Sequence, residues 1–141
     1  MIKENLYFQI ELTARKIRHY GQTALINKGI DITIEQWLVL KVISENKGIS
    51  QIKIGEILVK DKPTISRMVK GLTLKGFVLK ENITSDLRAF SLKLTKKGKA
   101  LVAELLPIVE DIRAKGLGNL SETETKNTSE TLLKIRNNIG F

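Results

Sequence analysis

The chain has 141 residues, 42% of them apolar, with 2 Pro and 10 Gly, which suits one compact unit with a real core and leaves little room for long disordered linkers. It contains no Cys, which removes disulfides, thiolate catalysis, thiolate zinc sites and thiol redox sensing together. The net charge of +9 is local: residues 41–99 hold 14 Lys and Arg against 5 Asp and Glu, whereas the rest of the chain holds 10 of each. A basic middle between neutral flanks implies a polyanionic partner, nucleic acid ahead of an anionic membrane.

Near the start, Gln9, Glu11 and Arg15 interrupt any apolar run, so neither a signal peptide nor a membrane span is expected, and the expected compartment is the cytoplasm. Leu6, Ile10, Ala14, Ile17, Gly21 and Leu25 recur every three or four residues and predict a helix over 4–28, stopped at Gly29. Glu4 to Gln9 also spells the recognition sequence of a protease used to remove tags. Ile10 suits that use poorly and the six residues continue the helical pattern, so they are read as native helix.

Thr33-Ile34-Glu35-Gln36 is a capping box and opens a buried helix that runs to Asn46. Ser50 starts a short helix with Ile52, Ile54, Ile57 and Leu58 as its apolar positions. After a tight connection at Val59-Lys60, Asp61 caps a further helix, with Pro63 in its first turn, where a missing N–H is harmless. Ile65, Met68, Val69 and Leu72 form its apolar stripe, and Gly76 closes it.

The period then changes to two. Residues 77–81 read as a strand, 82–88 as a polar turn, and Phe90, Leu92 and Leu94, alternating with Ser91, Lys93 and Thr95, as a second strand. Thr95 to Gly98 leads into a long helix that Pro107 should kink and that Gly116 and Gly118 break. A capping box at Ser121 to Glu124 opens a shorter terminal helix.

The fold class is therefore mainly α with a small β-hairpin: a winged helix-turn-helix lobe at 33–99, flanked by helices at 1–32 and 100–141, all one continuous domain. In such a unit the second helix of the pair enters the major groove of duplex DNA. At 100° per residue, Lys62, Pro63, Ser66, Arg67 and Lys70 point away from the apolar stripe. Arg67 suits a guanine edge, Thr64 and Ser66 can meet a base or a phosphate, and Lys62 and Lys70 can neutralise phosphates. Each residue alone reads more readily as the wet face of an amphipathic helix; charge concentration, helix order and hairpin together reverse that preference and select DNA. Asp86 and Arg88 stand two apart, so they read either as a carboxylate-held Arg for a narrow minor groove or as an idle surface pair.

Beyond these patterns, the stretch from Asp86 to Gly98 resembles the wing of the MarR (multiple antibiotic resistance regulator) family: D-x-R, five residues, L-T, two residues, G. Asp61 to Val69, continuing through Leu72 to Lys75-Gly76-Phe77-Val78, is similar to the family's recognition helix, and Trp37 matches its second helix. The resemblance spans essentially the whole chain. It implies a homodimer whose first and last helices pack across a two-fold axis and present two lobes to a palindromic operator, with a repressor as the expected role. It assigns Arg88 to the minor groove with Asp86 holding it, and Thr64, Ser66 and Arg67 to the major groove. Pro63 and Leu87 depart from the family, which often has Ser or Thr, and a second Arg, at those places. The resemblance also implies release of DNA by a small aromatic or phenolic effector, with Arg18, His19, Tyr20 and Trp37 as candidate pocket residues.

No cofactor and no catalytic site are expected: His19 is the only His, no nucleophile motif accompanies it, and neither a phosphate-binding Gly-rich loop nor a metal-ligand cluster is present. The competing non-enzymatic reading is a winged-helix protein-interaction module or an antagonist of a related regulator.

Overall fold

The structure, a computed structural model, describes residues 1–82 and 90–140. A 3₁₀ turn at Ile2–Glu4 precedes helices α1 (Leu6–Asn27), α2 (Ile34–Glu45), α3 (Gln51–Leu58) and α4 (Lys62–Leu74). Strands β1 (Val78–Asn82) and β2 (Phe90–Leu94) follow, then α5 (Lys96–Leu117) and α6 (Glu122–Ile139).

Helix starts fall where side-chain acceptors meet orphan amides. Asn5, Thr33, Ser50, Asp61, Thr95 and Ser121 each accept a hydrogen bond from a backbone N–H of the first turn they precede. The boxes at Thr33 and Ser121 are reciprocal, with Gln36 and Glu124 returning to the cap amides. The amide of Ile34 is satisfied from another helix, by Gln22 Oε1 at 3.0 Å, which fixes the start of α2 against α1.

The strands pair antiparallel, from Val78 opposite Leu94 to Asn82 opposite Phe90. A bridge between Ile49 and Leu92 adds a short third edge that the period-two pattern does not reveal. The core lies in the middle of the chain. It takes Trp37, Val39, Leu40, Val42 and Ile43 from α2, Ile54 from α3, Ile65, Val69 and Leu72 from α4, both strands, and Val102, Leu105 and Val109 from α5. From α1 only Gly21 and Leu25 are buried, and α6 buries nothing. The Trp37 indole N–H has no hydrogen-bond partner among the described residues.

Three expectations are corrected. Ile52 and Ile57 are exposed, because a two-turn helix has room to bury one face and that face carries Ile54. Gly116 stays inside α5, which runs through Pro107 to Leu117; the helix ends at Gly118, where φ is +49°. The first strand begins at Val78, since Phe77 still belongs to the turn: its amide bonds the Leu72 carbonyl.

That turn explains one position of the wing pattern. Gly98 sits so close to Phe77 that a Cβ there would lie 2.1 Å from the Phe77 carbonyl oxygen, so no side chain fits. Around it, Thr95 donates from its hydroxyl to Gly76 O at 2.6 Å and from its amide to Phe77 O at 3.0 Å. Lys97 Nζ donates to Lys75 O at 2.8 Å while lying over the Phe77 ring, and Lys75 pairs with Asp31 at 3.4 Å. The C-terminal end of α4 is thus riveted to the start of α5 and to the loop before α2.

Candidate nucleic-acid interface

The apolar stripe of α4 is buried at Ile65, Val69 and Leu72 and half-buried at Met68. The opposite face is correspondingly wet: Lys62, Pro63, Ser66, Arg67 and Lys70 are exposed, and Thr64 is half-buried. None of Lys62, Arg67 and Lys70 takes part in an ion pair among the described residues, although Lys41, Lys53, Lys60, Lys75 and Lys93 all do. Three cations on one solvent-facing helical stripe, in no ion pair with a described residue, are placed to meet an outside anionic partner.

The local geometry organises the first turn. Asp61 Oδ1 accepts from the Thr64 amide at 2.7 Å, and Arg67 Nη2 lies 3.4 Å from Thr64 Oγ1. Hydrogen bonding by Thr64, through its side chain and its amide, holds the Asp61 carboxyl below its ordinary range, and the Arg67 charge adds to the effect. Asp61 therefore stays ionised as a cap while Arg67 is drawn along the outer face of the helix. Asp86 and Arg88 lie outside the described residues, so the face described consists of α4 and the two strands.

A second concavity lies between α1 and α2: a cleft of about 440 Å³ lined by Arg15, Arg18, His19, Gln22, Thr33, Ile34 and Glu35. It brings together two of the four candidate effector residues, Arg18 and His19. Tyr20, on the next position of α1, is outside the lining, and Trp37 is a fully packed core residue. Sequence reading missed Arg15, Gln22, Thr33, Ile34 and Glu35. A signal existed: Arg15, Arg18, His19 and Gln22 stand at i, i+3, i+4 and i+7, one polar stripe of α1.

The sequence model of the MarR family matches residues 32–90, from the loop before α2 through the start of β2. The transcriptional regulator HosA of Escherichia coli is 29% identical over 107 residues, 76% of this chain and 79% of HosA. A MarR/EmrR family transcriptional regulator from Acinetobacter sp. ADP1 superposes over 99% of this chain and 97% of its own with a TM-score of 0.90 and 27% identity. The chain is similar to the MarR family in its central lobe, residues 32–90, and in its fold. It is a winged-helix transcriptional regulator, mainly helical with a two-stranded hairpin. A mutant MarR from Escherichia coli complexed with operator DNA is also similar to this chain, with a TM-score of 0.83, 26% identity and 92% coverage of each. No helix among the described residues is long and apolar enough to cross a membrane.

Proposed function

We propose that this chain binds a palindromic duplex operator as a homodimer and acts as a repressor, with Lys62, Pro63, Thr64, Ser66, Arg67 and Lys70 forming its major-groove surface. The observation that carries the reading is the stripe of three cations, in no ion pair among the described residues, on the face of α4 opposite its apolar stripe. Arg67 reads a base edge; Lys62 and Lys70 hold phosphates. Asp86 and Arg88 serve the minor groove in this reading, on the strength of the wing pattern.

The flanking helices supply the dimer. Ile17 and Tyr20 of α1, Leu117 at the end of α5 and Leu133 and Ile139 of α6 are apolar residues left exposed on the flanking helices, of which α6 adds no buried residue to the core. A second copy of the chain covers them and sets the two α4 helices about one helical turn apart, roughly 34–36 Å. The cleft at Arg18 and His19 is where a small effector binds and lowers DNA affinity.

Selection from a random duplex library tests this directly. The expected product is an inverted repeat with half-site centres about 10–10.5 base pairs apart, bound with an affinity that falls steeply with salt. Recovery of no preferred sequence at any ionic strength overturns the proposal.

A further inference from the structure

The outward stripe of α4 is polar or cationic except at one place. At about 100° per residue, the direction opposite Ile65, Met68, Val69 and Leu72 falls between Pro63 and Arg67, each within roughly 30° of it. Both are exposed. Pro63 stands in the first turn of the helix, the part that meets base edges in a helix-turn-helix. One of the two side chains aimed most directly away from the core is therefore a pyrrolidine ring, with no charge and no hydrogen to donate.

The surroundings keep that ring bare and turn the helix end away from phosphate. The Thr64 amide donates to Asp61 Oδ1 at 2.7 Å, and Pro63 has no amide hydrogen. Two of the N–H groups that a helix start ordinarily offers to an anion are thus lacking. The Asp61 carboxyl, which Thr64 holds below its ordinary range, sets a negative charge beside them. Arg67 leans aside: its Nη2 donates to Thr64 Oγ1 at 3.4 Å, and Thr64 lies on the side of Arg67 away from Pro63.

On the DNA side, the major-groove edges of the base pairs carry acceptors, amino donors and a single apolar group, the C5-methyl of thymine. A guanidinium matches guanine O6 and N7; an uncharged ring without a donor matches only the methyl group. Pro63 and Arg67 are four apart on one helix face, so their Cβ atoms are about 5–6 Å from each other. Successive bases of a strand are about 3.4 Å apart along the duplex axis, so the two side chains span one or two base steps. Proline at a helix start has a conformational use as well, since its fixed φ suits the first turn. That use needs no partner, and a variant that frees φ while keeping apolar surface separates the two.

We propose that Pro63 determines sequence specificity by packing on the C5-methyl of a thymine that lies one or two base pairs from the guanine read by Arg67, once in each half-site. The proposal rests on the reading of α4 as the major-groove helix, and it adds the base chemistry read there. Uracil, which lacks only the methyl group, is discriminated against at that place, and 5-methylcytosine is preferred to cytosine. Removal of one packed methyl group corresponds to about a four-fold loss of affinity per half-site.

The test uses the duplex recovered by selection and replaces its thymines by deoxyuridine, one symmetric pair at a time, with the full chain and with Pro63→Ser and Pro63→Val. One pair, within two base pairs of the guanine that Arg67→Ala no longer distinguishes, is expected to weaken binding about ten-fold or more, the product of two half-site effects. In Pro63→Ser the thymine and deoxyuridine duplexes bind within about two-fold of each other, and the responses at all other thymines are unchanged. Pro63→Val retains the preference, because apolar surface and not the fixed φ supplies it. Cytosine and then 5-methylcytosine at the same place repeat the difference through the methyl group alone. Three results overturn the proposal: no thymine near that guanine responds to loss of its methyl group, the response is as large in Pro63→Ser as in the parent chain, or Pro63→Val loses it too. A selection that returns no preferred sequence fails the reading of the chain and this proposal together, whereas a selected duplex indifferent to methyl removal fails this proposal alone.

Discussion

In α4, the periodic apolar residues Ile65, Val69 and Leu72 are buried within the chain, whereas in α6 the equally periodic Leu132, Ile135 and Ile139 bury nothing completely. The lobe around α2, α4 and the hairpin folds onto itself; α6 and most of α1 present a stripe that no described residue of the same chain fully covers. Charge divides along the same line, with the whole positive excess between residues 41 and 99. Periodicity thus specifies that a face seeks cover, and charge indicates what kind. A basic lobe that has already satisfied its apolar faces has cations left for DNA. Neutral helices with unsatisfied apolar faces are left for a second protomer.

Several substitutions break or sharpen that contrast. The largest effect is expected at Gly98, where the Cβ of Gly98→Ala would meet the Phe77 backbone at 2.1 Å. Loss of about 3 kcal/mol or more, read as a fall in the thermal midpoint by circular dichroism, is expected because backbone rather than a flexible side chain must move. Leu105→Ala empties a fully buried position and costs about 2–5 kcal/mol in chemical denaturation. Leu133→Glu, by contrast, leaves the lobe folded and shifts sedimentation towards a single 15.9 kDa chain. Equal loss of lobe stability in Leu105→Ala and Leu133→Glu would erase the distinction.

Within the basic lobe, Arg67→Ala is expected to weaken operator binding by about 1–3 kcal/mol and relax preference at one base pair. Lys70→Ala weakens all sequences alike and lowers the salt slope by about one phosphate contact. Mobility shifts across a salt series separate the two roles. The smallest effect concerns Asp61. Its carboxyl ionises more readily in the folded chain, so its contribution to stability is present above the unfolded-state pKa and is lost as pH falls through the lower folded-state value. Asp61→Ala therefore lowers the thermal midpoint at neutral pH, and the gap to the parent chain closes in acid.

Much of the lobe was legible because its signals are local. Thr33, Asp61 and Ser121 announce helix starts through hydrogen bonds spanning three residues, and the switch to period two marks the hairpin. What escaped notice is mostly non-local. The Ile49–Leu92 bridge joins segments far apart in sequence, and apolar residues on both faces of α3 hid which of them, Ile52 or Ile54, is buried. The solvent-facing residues of α4, Lys62, Pro63, Ser66, Arg67 and Lys70, followed from helical rotation alone. Glu35 and Lys60, ordinary surface charges in the sequence, pair only where α1, α2 and the turn before α4 converge. The stripe from Arg15 to Gln22 had helical spacing, but polar periodicity on a surface helix usually marks only solvent.

Trp37 is the single Trp of the chain, and it lies in the dry interior of the lobe with its indole N–H unbonded to any described residue. Its emission should therefore sit towards the blue and move red when the lobe melts, while remaining silent to separation of the protomers along α6. One intrinsic fluorophore, set beside far-ultraviolet dichroism that sees every helix, is enough to time the two events independently. If the two traces part on dilution, assembly and folding of the lobe are separate steps.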